Sequence, residues 1–115
     1  MHPFEAKVRA APGGVAVLDL HGEIDGKVEQ ALNDAYQRAA EGNAPAVVLN
    51  FTGISYINST GIALIVSLLA RARREQRKMA AWGLSDHYRE IFEITRLADF
   101  IALFPDEASA LGANV

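Results

Sequence analysis

Residues 47–64, with the sequence VVLNFTGISYINSTGIAL, carry more structural information than any other stretch of this chain. The pattern predicts a buried strand, a short tight connection and the first turn of an apolar helix. Two small hydroxyl residues, Ser59 and Thr60, lie where that helix is predicted to begin. The unpaired N–H groups and the positive dipole end of a helix favour anions, so a phosphate on Ser59 would be stabilised. Because the phosphate would also add about two negative charges to the surface, the stretch indicates a switch more than a catalyst.

The N-terminal part of the chain predicts a hairpin followed by a helix. Residues 5–11 interleave apolar side chains with charges, which is typical of an edge strand. The turn Pro12-Gly13-Gly14 separates this strand from a second one at 15–20, and Gly22-Glu23-Ile24-Asp25-Gly26 interrupts the strand pattern. A helix is predicted over 27–41. Its apolar face consists of Val28, Ala31, Leu32, Ala35, Tyr36 and Ala39.

The remainder of the chain alternates strands with helices. Strands are predicted at residues 46–49, 78–82 and 101–104. Helices are predicted at 59–76, over Tyr88, Ile91, Phe92 and Ile94 with Ser85 or Asp86 as the cap, and at 108–111. The first half of the 59–76 helix is apolar almost all round, which predicts deep packing. This order predicts an α/β fold in one domain over residues 1–115, with a mixed, mostly parallel sheet of four to five strands and about four helices.

Composition limits the classes of function. The chain has 115 residues, a net charge of −3, 50% hydrophobic residues and no cysteine. The charge gives no attraction to nucleic acid or anionic membranes, and disulfides and thiolate metal sites are excluded. No apolar run is long enough to span a bilayer, and the start Met1-His2-Pro3-Phe4-Glu5 has no signal-peptide features. We therefore expect a small cytoplasmic protein with no direct membrane insertion.

Four short motifs resemble the STAS domain in order and spacing, across residues 15–111. They are Gly22-Glu23-Ile24-Asp25, Val47-Val48-Leu49-Asn50-Phe51, Tyr56-Ile57-Asn58-Ser59-Thr60-Gly61 and Trp82-Gly83-Leu84-Ser85. STAS domains include bacterial anti-sigma-factor antagonists and the cytoplasmic regions of sulfate transporters. The resemblance therefore implies the STAS fold and a role in protein binding.

The resemblance also implies a phosphorylation switch. In phosphorylatable family members, a serine at the start of this helix is modified by a serine kinase of the histidine-kinase-like ATPase fold that also acts as the anti-sigma factor. The unmodified antagonist binds that kinase and releases the sigma factor, and a PP2C-type phosphatase resets the switch. The acceptor position falls on Ser59, with Thr60 as second choice, and the family glycine falls on Gly61. Asp25 and Asn58 complete the implied partner-binding surface.

Two asparagines depart from the family pattern. The family often has aspartate where this chain has Asn50, and again where it has Asn58. Replacing Asp by Asn next to the acceptor removes one negative charge, which eases placement of a phosphate on Ser59. The same replacement removes a group that a kinase could need for orientation. Both interpretations stay open.

Simpler structural interpretations exist for each of these residues. Ser59 could be only a helix N-cap, which stabilises a helix by about 1 kcal/mol. Asp25 could be a turn or cap residue, and the two asparagines could satisfy loop backbone groups. The basic cluster at the end of the 59–76 helix is either a solvated helix end or a face for an acidic partner. It consists of Arg71, Arg73, Arg74, Arg77 and Lys78.

The sequence contains no recognisable catalytic or metal-binding constellation. His2, His21 and His87 lack the spacing of metal ligands, and Ile57 occupies the position where a nucleophile elbow around Ser59 would need glycine. We therefore predict no cofactor and no enzyme activity. The leading hypothesis is an anti-sigma-factor antagonist controlled at Ser59. The alternatives are an unphosphorylated STAS docking subunit of a membrane lipid-transport complex and a stress-sensing scaffold.

Overall fold

The computed structural model describes residues 3–112, which form five strands and four α-helices. The strands are β1 (Glu5–Ala10), β2 (Ala16–Ile24), β3 (Ala46–Ile57), β4 (Lys78–Trp82) and β5 (Ala102–Phe104). The α-helices are α1 (Glu29–Ala40), α2 (Ser59–Arg74), α3 (Asp86–Ile94) and α4 (Glu107–Gly112). Short 3₁₀ turns occur at Pro12–Gly14, Gly26–Val28 and Leu97–Asp99.

The strands form one sheet in the order β1-β2-β3-β4-β5. The edge strand β1 runs antiparallel to β2, and all the other neighbours are parallel. The predicted hairpin is confirmed, and Gly13 and Gly14 close it with positive φ angles of 80° and 77°. The predicted α/β class with a mixed, mostly parallel sheet is confirmed as well.

Both faces of the sheet are covered, but unequally. On the three central strands Leu18, Leu49 and Ala81 belong to the large core, which also contains residues of α1, α2 and α3. Their neighbours along the strands belong to a small second core together with Ala110 of α4. This alternation follows from the two-residue period of a strand. The second core consists of Val17, Val48, Ala80 and Ala110.

The predicted ends of two strands were wrong. β2 continues through the segment that was expected to break it, and β3 continues to Ile57 where a short connection was expected. The two strands stay paired up to Glu23 with Tyr56 and Ile24 with Ile57, with register shifts on the way. Glycines such as Gly22 (φ 98°) and Gly53 look like loop residues in sequence, but here the bulged ladder accommodates them. Pairing between distant segments therefore outweighs the local turn signal.

Several apolar residues of the predicted helices are on the surface. Ala31 of α1 and Ala63 of α2 are exposed, so the first half of α2 is not packed all round. Val66 and Ile94 are 44% and 71% exposed. A helix on one face of a sheet buries only one side, and the remaining apolar residues face solvent.

Parts of the sequence predictions lie outside the described residues. These parts are Met1, His2 and residues 113–115, so the extent of the domain over 1–115 stays a prediction. Within residues 3–112, no three His, Asp or Glu side chains come close enough together to hold a metal ion. In the same range, no helix combines the length and apolar character needed to cross a membrane.

Candidate functional site

The start of α2 is locked against the end of β2 by backbone contacts. The Asn58 N–H donates to the Ile24 carbonyl at 3.1 Å. A Cβ atom on Gly61 would lie 2.1 Å from that same carbonyl oxygen, so only glycine allows the helix to approach this closely. The carboxyl ends of the parallel strands β2 and β3 thereby meet at one place, and α2 begins there.

Asn58, and not Ser59, is the N-cap of α2. Its side-chain oxygen accepts the Gly61 N–H at 2.8 Å, and its backbone is extended (φ −89°, ψ −180°). The interpretation of Ser59 as the cap was therefore wrong by one residue, whereas the backbone role suggested for Asn58 is confirmed. The preceding Ile57 N–H is also paired, because it donates to the buried Tyr88 hydroxyl at 2.9 Å.

Ser59 and Thr60 occupy the first two positions of α2 and are both exposed. Within residues 3–112, neither hydroxyl makes a hydrogen bond, because Asn58 already caps the helix. In particular, no His or carboxylate of this part of the chain takes the proton of the Ser59 hydroxyl. A serine without such a base is a weak nucleophile, so this hydroxyl suits a substrate of another enzyme better than a catalytic group.

Asp25 lies beside the same helix start. Its carboxylate accepts the Lys27 N–H at 2.9 Å and caps the short turn Gly26–Val28, so the suggested turn role is confirmed. A Cβ atom on Gly26 would lie 3.2 Å from the Thr60 methyl group, which places the turn against α2. The structure therefore brings all the predicted site residues together. They are Asp25, Asn58, Ser59, Thr60 and Gly61.

Asn50 is not part of this site. Its side-chain nitrogen donates to Asp19 at 2.7 Å, and its side-chain oxygen accepts from the Thr52 N–H and hydroxyl at 3.0 and 2.7 Å. Arg9 donates to the same Asp19 carboxylate and holds the pKa of Asp19 below its usual value. The suggested backbone role of Asn50 is confirmed, and its amide nitrogen in addition binds the neighbouring Asp19.

One exposed aromatic residue that is close to this site in the chain was not singled out from the sequence. Tyr56 is 50% exposed and lies two residues before Asn58, opposite Glu23 on β2. An exposed tyrosine next to a polar helix start is a common anchor in protein interfaces. The sequence did contain an indication of this exposure. Neighbouring residues of a strand face opposite sides, so an apolar, buried Ile57 implies that Tyr56 beside it faces solvent. This indication was not used because this segment was predicted to be a connection.

Known protein families and solved structures share this fold. The STAS domain family matches residues 6–110, which include β1 except Glu5, all the other strands and the start of every α-helix. The chain belongs to the STAS domain family. An anti-sigma-B factor antagonist from Listeria monocytogenes is 30% identical over 93 residues, which are 81% of this chain and 82% of that protein.

Two solved structures illustrate the shared fold. An anti-sigma factor antagonist from Mycobacterium paratuberculosis has a TM-score of 0.82 at 22% identity, covering 96% of this chain and 93% of that one. The Bacillus cell fate determinant SpoIIAA in its phosphorylated form has a TM-score of 0.71 at 17% identity, covering 94% and 97%. At these identities the structures establish the STAS fold of this chain.

Proposed function

We propose that this STAS domain is an anti-sigma-factor antagonist controlled by reversible phosphorylation of Ser59. Its partner is a serine-kinase anti-sigma factor of the histidine-kinase-like ATPase fold, and a PP2C-type phosphatase removes the phosphate. The unmodified chain binds the kinase in the cytoplasm through a docking face around the start of α2. This face consists of Tyr56, Asp25, Asn58, Ser59, Thr60 and Gly61.

The observation that carries the proposal is the unengaged Ser59 hydroxyl. It is exposed at the first position of α2, and the capping role that would otherwise occupy it belongs to Asn58. The name of the Listeria relative supports antagonism of an anti-sigma factor. The fold is compatible with a phosphate, because phosphorylated SpoIIAA has the same fold.

Phosphorylation would change both charge and shape at the docking face. The Ser59 oxygen attacks the γ-phosphorus of ATP, a new O–P bond forms, the bond to the ADP oxygen breaks and the hydroxyl proton is released. The product carries about −1.5 to −2 charges near neutral pH. The free N–H groups of the first turn of α2 and its dipole stabilise this charge. A partner that needs a close contact with Ser59 is repelled by the added bulk, the charge and the cost of desolvating it.

The first experiment is a phosphorylation assay with a matched serine control. The purified chain is incubated with ATP and each candidate serine kinase encoded near it, and phosphate is mapped by peptide mass spectrometry. Ser67 lies on the same helix and is also exposed, so Ser67→Ala is the control for Ser59→Ala. We expect phosphate on Ser59 that Ser59→Ala abolishes and Ser67→Ala leaves unchanged. Phosphate on Thr60 alone would move the acceptor by one residue.

The second experiment measures binding to the kinase that modifies the chain. Ser59→Glu adds a charge at the acceptor, and we expect it to weaken the complex at least about tenfold in calorimetric titration, which corresponds to roughly 1.4 kcal/mol. Ser67→Glu adds the same charge along the helix and is expected to bind like the wild type. If Ser59→Glu binds as tightly as the wild type, the switch mechanism is wrong even if Ser59 is modified. No modification by any candidate kinase would favour the unphosphorylated docking subunit.

A further inference from the structure

A second surface lies at the opposite end of α2 and is not explained by the docking face. A groove of about 390 Å³ runs between α2 and the 3₁₀ turn Leu97–Asp99. A wider cavity of about 720 Å³ adjoins it and shares Leu69, Arg73 and Phe100 with it. We call the two together the α2 groove. Arg73 is 14 positions after Ser59, so the helix rise separates it from the docking face by about 21 Å.

The rim of the α2 groove exposes apolar side chains. Val66 of α2 is 44% exposed and Phe100 is 54% exposed, and both line the groove. Ile94, which is 71% exposed, directly precedes the groove residues Thr95 and Arg96. Four large hydrophobic residues are exposed within residues 3–112, and these three are among them; the fourth is Tyr56 of the docking face. A concentration of apolar surface beside a concave groove is typical of a protein interaction site.

The same rim carries positive charge that the chain does not neutralise. Arg71 and Arg77 both pair with Glu75 at 3.1 Å. Within residues 3–112, by contrast, Arg73, Arg74 and Lys78 form no ion pair. Arg73 instead lies over the Phe100 ring, 5.2 Å from its centroid. Arg73 and Arg74 end α2 and Lys78 begins β4, so these three cations without an ion pair lie close together in the chain.

We propose that the α2 groove binds an acidic, apolar segment of a partner protein, such as an amphipathic helix with carboxylates beside its apolar face. Leu or Phe side chains of that segment would replace water against Val66, Leu69 and Phe100. Its carboxylates would meet Arg73 and Lys78, which line the groove, and arginine can bind a carboxylate through two hydrogen bonds. The negative end of the α2 dipole by itself disfavours carboxylates, and Arg73 and Arg74 in the last turn of the helix offset it.

Two other occupants fit the surface less well. A membrane surface is flat, whereas the α2 groove is concave, and the net negative charge of the chain opposes approach to anionic lipid. A symmetric contact with a second copy would bring Arg73 and Arg74 against themselves, and like charges in an interface are destabilising.

The test uses the full chain and a defined peptide. The probe is a fluorescent helical peptide of about 14 residues, with leucines at the i, i+3, i+4 and i+7 positions and glutamates on the flanks. A second peptide has glutamine in place of every glutamate. We expect saturable binding of the glutamate peptide, weaker binding of the glutamine peptide, and NMR shifts that map to Val66, Arg73 and Phe100. Binding is expected to weaken as salt is raised.

Charge-reversal variants separate the groove from general electrostatics. Arg73→Glu and Val66→Asp are at exposed positions and are expected to lower the affinity about tenfold each. Lys7→Glu makes the same charge change as Arg73→Glu on the exposed edge strand β1, and is expected to leave the affinity unchanged. A Ser59→Glu variant is also expected to bind the peptide like the wild type, so failure of the kinase switch would not be confused with failure of this proposal.

Four outcomes would overturn the proposal. They are the absence of peptide binding, equal binding of the glutamate and glutamine peptides, NMR shifts outside the groove, and equal weakening by Lys7→Glu and Arg73→Glu. Two parallel measurements identify the competing occupants. Sedimentation with phosphatidylcholine–phosphatidylserine vesicles that Val66→Asp abolishes, without peptide binding, would assign the groove to a membrane. Concentration-dependent dimers that Val66→Asp dissociates, again without peptide binding, would assign it to a second copy.

Discussion

The same substitution, Asn to Asp, is expected to have opposite effects on stability at Asn50 and at Asn58. Both side chains accept a backbone N–H through their oxygen, and aspartate would preserve both of these bonds. The two sites differ in the group that lies next to the asparagine, and this group would meet the negative charge that aspartate adds. At Asn50 the neighbour is a carboxylate, and at Asn58 it is the positive end of a helix.

At Asn50 the added charge meets Asp19. The amide nitrogen of Asn50 lies 2.7 Å from an Asp19 oxygen, and Asn50→Asp replaces this hydrogen bond by a repulsive contact. Losing the bond costs about 1 kcal/mol. Two charges that relax to about 4 Å repel by about 4 kcal/mol at an effective dielectric constant near 20. Arg9, which binds both Asp19 oxygens, offsets much of this repulsion. We therefore expect a net destabilisation of about 2 kcal/mol near neutral pH.

At Asn58 the added charge lies on the cap of α2. Aspartate and asparagine are similarly good N-caps, so the capping bond to Gly61 is retained. A negative charge at the N-terminus of a helix contributes about 0.3 to 1 kcal/mol. Asn58→Asp is therefore expected to be neutral or slightly stabilising.

Urea unfolding of the wild type and the two variants, followed by circular dichroism and by fluorescence of the single Trp82, measures both effects. The Asn50→Asp deficit should also depend on pH. Repulsion from Asp19 raises the pKa of the carboxyl pair in the folded state, so folding is favoured at low pH and the deficit shrinks towards about pH 4. A stable Asn50→Asp variant, or a deficit that does not change with pH, would show that Asp19 and residue 50 do not interact as described. A destabilised Asn58→Asp variant would contradict the assignment of the cap.

Two further substitutions test the packing of α2 at its two ends. Gly61→Ala places a Cβ atom 2.1 Å from the Ile24 carbonyl oxygen and should lower the free energy of unfolding by about 3 kcal/mol or more in urea. Gly42→Ala is the control, because its Cβ atom would meet no atom within 4 Å. Its free energy of unfolding should stay within about 0.5 kcal/mol of the wild-type value. The Tyr36 hydroxyl donates to Glu75 at 2.8 Å and, with arginine neighbours, lowers the pKa of Glu75 from 4.5 to about 2. Because the pKa of Glu75 is lowered on folding, its charged carboxylate stabilises the fold above pH 4.5, and this stabilisation is lost as the pH falls towards 2. In Glu75→Gln, the free energy of unfolding should therefore fall by about 1 kcal/mol less over this pH range than in the wild type, after solvent screening. Equal acid sensitivity of the two proteins would exclude a contribution of Glu75.

The order of the elements could be predicted from the sequence because each carries its own local signal. The hairpin is marked by Pro12-Gly13-Gly14, and β4 is a short apolar run of the predicted length. Ser85 was one of two suggested caps for α3, and its hydroxyl accepts the Tyr88 N–H at 3.3 Å. Local propensity, capping and apolar periodicity agree in these elements, and such agreement makes a sequence predictable.

The site could be predicted only in part because its details depend on contacts between distant segments. The cap was assigned to Ser59 because Asn58 and Ser59 are both good capping residues, and only the extended backbone of Asn58 distinguishes them. Tyr56 was missed because the ladder that extends β3 is formed with β2, which lies about 30 residues earlier in the chain. Val66 on the rim of the α2 groove was expected to be deeply packed, since periodicity does not indicate how much of a helix the sheet covers.

The fixed position of α2 decides how a phosphate on Ser59 could act. At the N-terminal end Gly61 is in direct contact with the Ile24 carbonyl, and at the C-terminal end Glu75 is bound by Tyr36 and Arg77. A shift of the helix along its axis would break both sets of contacts at once, and packed elements of this kind do not deform gradually. The interaction of a phosphate with the free N–H groups of the first turn is worth only about 1 kcal/mol, which is less than the cost of breaking these contacts. A phosphate on Ser59 would therefore act on the partner directly, by charge and bulk at the docking face, and the α2 groove would keep its shape in both states of the switch.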